Sequence, residues 1–157
     1  MEIVYRGLDP KIDGDNVYKI TKSSGFFEEK EILLAMKYFE EAKNGDADHA
    51  FLFAEINGQT VGYTNYGAAS YTGKSYYLHW IAVDQDFRNR GIGKLLLFKT
   101  EELIKSIGGK KVFVETSSKE EYTATRYFYL SSGYQLEAVL KNFYSETDNQ
   151  IILSKYL

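Results

Sequence analysis

Apolar positions recur along this chain with two periods, near two and near 3.6, and their succession predicts strands and helices in turn. Ile3 to Gly7 is short and β-like, and Asp9-Pro10 stops it. From Gly25 to Ala42, Phe26, Phe27, Ile32, Leu33, Met36 and Phe39 fall at spacings near three and four. Acids come early and Lys43 late, so a helix closed by Asn44-Gly45 is expected. Ala50 to Ile56 and Thr60 to Tyr66 read as strands joined by a tight Asn57-Gly58 turn, and Gly67 to Gly73 makes the next connection. Ser75 to Val83 is a further strand. The amphipathic run from Lys94 to Ile107 predicts a helix ending at Gly108-Gly109. Lys111 to Thr116 is a short apolar strand, and Lys119 to Ser131 a helix whose end Gly133 marks. Tyr134 to Asn142 and Gln150 to Tyr156 form a last pair across the polar loop Ser145 to Asn149.

This order predicts an α/β (α+β) layer arrangement, a largely antiparallel sheet with one parallel crossover around its fourth and fifth strands. At 157 residues, 44% hydrophobic and 26% charged, the chain suits one domain over residues 1–157, with no repeat or linker to divide it. No cysteine is present, so any sulfur in the chemistry comes from a ligand. No apolar run has membrane-spanning length, and Met1 to Arg6 lacks the order of a signal peptide, so no membrane partner and a cytoplasmic location are the default expectations. A formal charge of −3, with cations dispersed among acids, argues against a nucleic-acid partner. His49 and His79 stand thirty residues apart without a ligand cluster, and no metal site is expected. Fourteen tyrosines and ten phenylalanines are many for this length and suit strands and cores.

One loop carries more chemistry than the rest. Arg88-Asn89-Arg90-Gly91-Ile92-Gly93 lies between the strand and the amphipathic helix. Its glycines let several N–H groups point to one spot, the helix adds its positive end, and the arginines add charge, which suits a diphosphate. A dinucleotide fingerprint would need a third glycine where Leu96 stands; a Walker A loop would need glycine at Arg88 and Ser or Thr at Leu95.

What remains, R-x-x-G-x-G after a strand and opening a helix, resembles the acetyl-CoA loop of the Gcn5-related N-acetyltransferase (GNAT) superfamily. Leu78 to Asp84, Phe87 and the leucine-rich helix that follows match the same motif. The resemblance covers most of the chain and is weakest before about residue 50. It implies a mixed, mostly antiparallel sheet of about seven strands, flanked by helices and splayed between the fourth and fifth, with acetyl-CoA as cosubstrate in the splay. Its diphosphate would meet the backbone from Asn89 to Lys94, that is Asn89, Arg90, Gly91, Ile92, Gly93 and Lys94, with charge from Arg88 and Arg90. The resemblance also implies a bulge in the fourth strand just before the Ala-Val pair, exposing a backbone N–H near Ile81, Ala82 and Val83 to polarise the thioester carbonyl.

Transfer to an amine further needs an acid for the leaving thiolate and a base for the nucleophile. Phe128 to Tyr134 resembles the motif that supplies the acid, and Tyr129, four residues before Gly133, takes its position. A phenol's pKa lies above that of the thiol it protonates. For the base, Tyr77 and His79 fall where family members carry a glutamate or a histidine, and imidazole is the better acceptor near pH 7. His79 is therefore the first choice, with Glu55, Glu115 or solvent as alternatives. Tyr122 and Thr125 stand where the family commonly has an asparagine and an alanine that contact the cofactor, a departure from the pattern.

The resemblance thus implies an acetyl-CoA-dependent N-acetyltransferase acting on a primary amine of a small molecule or peptide, by direct attack in a ternary complex. With no cysteine, no acyl-cysteine intermediate forms. The alternative is a non-catalytic acyl-CoA sensor or interaction module on the same fold; either admits a homodimer. The acceptor pocket is expected from Thr21 to Gly45, the Ala68 to Gly73 turn and the loop between the last strands. Tyr66, Tyr71, Phe143, Tyr144, Glu146 and Asp148 there would suit a small cation.

Overall fold

Alternation along Ala50 to Ile56 sends Phe51 and Phe53 to one face of a strand and Leu52 and Ala54 to the other; all four are buried, so the strand needs cover on both sides. The computed structural model, which describes residues 1–46, 48–69 and 72–157, shows what covers it. In chain order the elements are β1 (Val4–Arg6), α1 (Asp13–Ser23), α2 (Glu29–Lys43), β2 (Ala50–Ile56), β3 (Gln59–Ala68), β4 (Ser75–Val83), α3 (Ile92–Ser106), β5 (Lys111–Ser117), α4 (Thr123–Leu130), β6 (Gln135–Ser145) and β7 (Asp148–Tyr156). The strands form one sheet in the order β1-β2-β3-β4-β5-β7-β6. Its β4–β5 pair is parallel and the other pairs are antiparallel, as the sequence predicts.

On the front, α1 and α2 bury Val17, Ile20, Ala35 and Phe39 against Phe51, Phe53, Tyr63 and Ala82. On the back, α3 sets Ile92 and Leu96 against Leu52, Ala54 and Val61, and Leu97 and Ile104 against Leu78, Val112 and Val114. Tyr129 of α4 enters this second back cluster. Among the described residues, no helix is long and apolar enough to cross a membrane.

The sequence pattern overlooks α1. Few of its side chains are apolar, yet Val17, Ile20 and Thr21 are buried, and Asp13 in its first turn is fully buried in an ion pair with Arg6. Arg6 donates to both carboxylate oxygens of Asp13, at 2.6 and 2.9 Å, and also pairs with Glu55 of β2. Tertiary ionic contacts, which local periodicity does not register, hold this helix to the sheet. The expected helix from Gly25 begins four residues later, at Glu29, where Glu28 and Glu31 form a reciprocal capping box. The expected helix from Lys119 is a 3-10 turn, Glu120–Tyr122, followed by the short α4.

Two irregularities position the site. Strands β4 and β5 pair over three residues, Ser75–Tyr77 against Lys111–Phe113, and then diverge, which is the expected splay. In β4, Leu78 and Trp80 oppose the consecutive residues Tyr66 and Asn65 of β3, so His79 is an extra residue. The bulge therefore lies at His79, before the Ile81 to Val83 stretch where it is expected. Its effect on side-chain direction is visible: Leu78 and Ile81 pack on the back, while Trp80 and Ala82 join the front core.

Candidate active site

Across the splay, β4 and β5 present different groups to each face. Val112 and Val114 enter the back core, so Phe113 and Glu115 face the front. On β4, Tyr77 lies 6.2 Å from Phe113 between ring centres and 6.1 Å from His79, which places the phenol, the imidazole and Glu115 on one side. Tyr38 of α2 closes this side, with its ring 5.4 Å from His79 and 5.5 Å from Trp80. Burial raises the Tyr38 phenol, and the charges of Glu41 and Glu115 raise it further.

His79 is held from three directions. The carbonyl of Asp48 lies 3.4 Å from Nε2 and can only accept, which places the proton on Nε2 and leaves Nδ1 as the lone pair. Tyr38 and the His49 ring, 4.9 Å away, complete the surroundings. Burial and the neighbouring His49 push the His79 pKa down to about 4. His49 stacks on Tyr38 at 3.8 Å and meets Glu41 at 3.1 Å. This meeting of two histidines thirty residues apart escapes the sequence reading. It depends on the segment before β2 crossing β3 at Gly67, where a Cβ would overlap the Asp48 carbonyl.

The loop has the expected backbone. Asn89 and Gly91 both take positive φ, at 59° and 78°, and Gly91 is the N-cap of α3. Acids occupy the first turns of α1 and α2, but none occupies that of α3, whose N-cap has no side chain to offer. The N–H groups of Ile92, Gly93 and Lys94 and the helix dipole are thus left for an anion from outside. A Cβ at Gly93 would lie within 4 Å of Val83 and Phe128, so this cradle abuts the open end of β4 and α4. The arginines are engaged differently: Arg90 donates to the Asp86 carbonyl and lies over Phe87, whereas Arg88 lies over Phe26 at 4.6 Å.

Tyr129, 7% exposed, stands behind the splay among Leu78, Val112, Val114 and Leu153. Burial holds its phenol well above the ordinary value of 10. The neighbouring Tyr134, 5.4 Å away, has a buried hydroxyl with no partner among the described residues, a polar group the sequence treats only as a ring.

The chain matches the profile of the acetyltransferase (GNAT) family over residues 15–134. It belongs to that family. A GNAT-family protein from Desulfovibrio desulfuricans subsp. is 33% identical, with 99% of each chain covered and a TM-score of 0.93. A GNAT acetyltransferase from Elizabethkingia anophelis, solved with acetyl-CoA bound, is 20% identical, with a TM-score of 0.74 over 99% of this chain and 98% of that one. Among curated relatives, an uncharacterised N-acetyltransferase of Chlorobaculum tepidum is 39% identical over 66 residues, 42% of this chain and 41% of the relative. An acetyltransferase of Pectobacterium atrosepticum is 38% identical over 73 residues, 46% and 49%. The chain thus matches less than half the length of each curated relative.

In this GNAT protein the remaining expected residues are dispersed. Glu55 belongs to the Arg6–Asp13 network and lies away from the splay. Tyr66 packs behind the sheet, on the face opposite His79 and Glu115. Asp148 is buried, accepting from Ser117, while Phe143 and Tyr144 are exposed on β6 and Glu146 on the turn after it. Tyr122 caps α4, Thr125 is exposed, and Tyr71 with part of its turn lies outside the described residues. Among the described residues no cluster of three or more His, Asp or Glu is arranged to hold a metal.

Proposed function

We propose that this GNAT protein is an acetyl-CoA-dependent N-acetyltransferase that moves an acetyl group to a primary amine by direct attack in a ternary complex. The observation that carries the reading is the conjunction of an acid-free, uncapped α3 N-terminus with the β4–β5 splay that it abuts. Bound acetyl-CoA supplies a thioester; the chain's part is to hold it, polarise it and move two protons. Backbone N–H groups from Asn89 to Lys94 bind the diphosphate. Beyond Tyr77, β4 has no β5 partner, and the bulge at His79 turns its backbone, which supports a free donor for the carbonyl oxygen. Tyr129, neutral at physiological pH, gives its proton to the departing thiolate.

For the base, charge and surroundings favour one of the two groups that flank the splay. Burial and the neighbouring His49 lower the His79 imidazole to about 4, which weakens it as a proton acceptor, while burial raises the Glu115 carboxyl. Glu115 also attracts an ammonium ion, which an imidazole does not. It accepts one hydrogen bond, from Gln150 at 3.2 Å, and its charge reaches Tyr38 across the splay. We therefore assign proton acceptance to Glu115 and a supporting place to His79.

The test is thiol release from acetyl-CoA against a panel of small amines and peptides. An accepted amine should release thiol, and Glu115→Gln should lower kcat by about a hundredfold while coenzyme A binding persists. A thermal shift with coenzyme A but no thiol from any amine would overturn the enzyme reading in favour of a sensor.

A further inference from the structure

Arg88 opens the diphosphate loop, yet its guanidinium plane rests on the ring of Phe26, in the segment joining α1 to α2. Phe26 is 69% exposed, so core packing does not hold it there. Gly25 supplies the turn, at φ 74°, and a Cβ on it would stand 3.7 Å from Nη2 of Arg88. That Nη2 is buried and has no partner among the described residues. A second tie lies beside it: the Gln85 N–H, in the turn before the loop, donates at 3.4 Å to Oγ of Ser23, the last residue of α1.

The next residue reaches the acceptor side. Phe27 packs on Trp80 at 5.9 Å, and Trp80 donates from Nε1 to the Tyr63 hydroxyl at 2.9 Å beside the bulge. Glu28 then caps α2, which carries Tyr38. A path of three consecutive residues therefore leads from the loop to Trp80 and to the helix that carries Tyr38.

We propose that Arg88 is a positioning residue: with Phe26 it forms a clasp through which an occupied cofactor loop sets the Phe27–Trp80 wall of the acceptor site. This rests on the reading that the loop binds coenzyme A. A buried donor without an acceptor is costly, and an anionic or amide oxygen of the cofactor brought to this loop removes that cost by accepting from Nη2. The guanidinium is then fixed, and Phe26 with it through the stacked contact. Arginine is required, since the lysine ammonium, though it has three donors, has no planar face to lie over Phe26 while a separate nitrogen reaches the cofactor.

Trp80 is the sole tryptophan and reports the wall directly. The experiment titrates the full chain with coenzyme A while following Trp80 emission, with calorimetry for affinity and thermal midpoint for occupancy. Wild type should show an emission change that saturates with the calorimetric Kd. In Phe26→Ala the Kd should move by no more than about threefold, the scale of one exposed cation–π contact. Its emission change should largely vanish, and Phe26→Tyr should restore it. Arg88→Lys should lose the emission change at saturating coenzyme A. An undiminished emission change in Phe26→Ala, or none in wild type that binds coenzyme A, overturns the clasp. A wild type that shows neither calorimetric binding nor thermal shift overturns the cofactor reading and the clasp with it.

Discussion

His79 is neutral in the folded protein across a pH range in which an unfolded histidine is charged, and stability should register the difference. Its pKa is held at about 4 by burial and by His49, against an ordinary 6.5. Between these values the unfolded chain binds a proton that the folded chain refuses, so stability falls as pH drops through 6.5. Below about 4 both states are protonated and this source adds no further loss. From pH 8 to pH 5 the linkage relation gives a loss of about 2 kcal/mol from this one group. Other groups titrate in the same interval, so the informative quantity is a difference between proteins. His79→Gln keeps an amide donor for the Asp48 carbonyl and removes the titration. Urea unfolding at pH 8 and pH 5 should show wild type losing about 2 kcal/mol more than the variant. Losses equal within about 0.5 kcal/mol would refute the claim that His79 is held neutral.

Tyr129→Phe removes a hydroxyl for which no hydrogen bond is found among the described residues, so folding stability should change by less than about 0.5 kcal/mol. With an accepted amine, kcat should nevertheless fall by about 10²-fold or more, and a variant retaining wild-type kcat would remove Tyr129 from the proton path. Asp13→Ala leaves the part-buried Arg6 with Glu55 as its remaining carboxylate partner and strips acceptors from Asn16 and the Asp9 N–H. Chemical denaturation should show a loss of about 3 kcal/mol; a loss under about 1 kcal/mol would show that α1 is held by packing alone.

The elements that are legible in sequence are those whose signals are local. Strand β2 has the predicted limits because its apolar run ends at Asn57-Gly58, and β4 has them because Gly73 and Asp84 bracket its run. The loop from Arg88 to Gly93 is equally local, and its backbone follows its glycines. Helix α1 is obscure because its place depends on Asp13 finding Arg6 and on two buried aliphatics rather than a full apolar stripe. The bulge is implied by resemblance, but its position follows from contacts distant in sequence: Asp48 lies across Gly67 and holds His79 with Trp80 on the front. For the same reason composition cannot foresee a histidine that burial and a second histidine turn into a weaker base. Tyr66 shows the converse error, since an aromatic near a turn looks available until the back core claims it.

The three-residue seam between β4 and β5 also bears on how the molecule carries load. Four strands lie on one side of it and three on the other, so the sheet is two plates joined at one edge like a partly opened book. Leu97 and Ile104 of α3, packed with Leu78 and with Val112, act as the spine that keeps the plates from shearing. Bending across the strands is therefore soft at the open edge and stiff along the spine. A ligand seated between the pages would act as a cross-brace at the open edge.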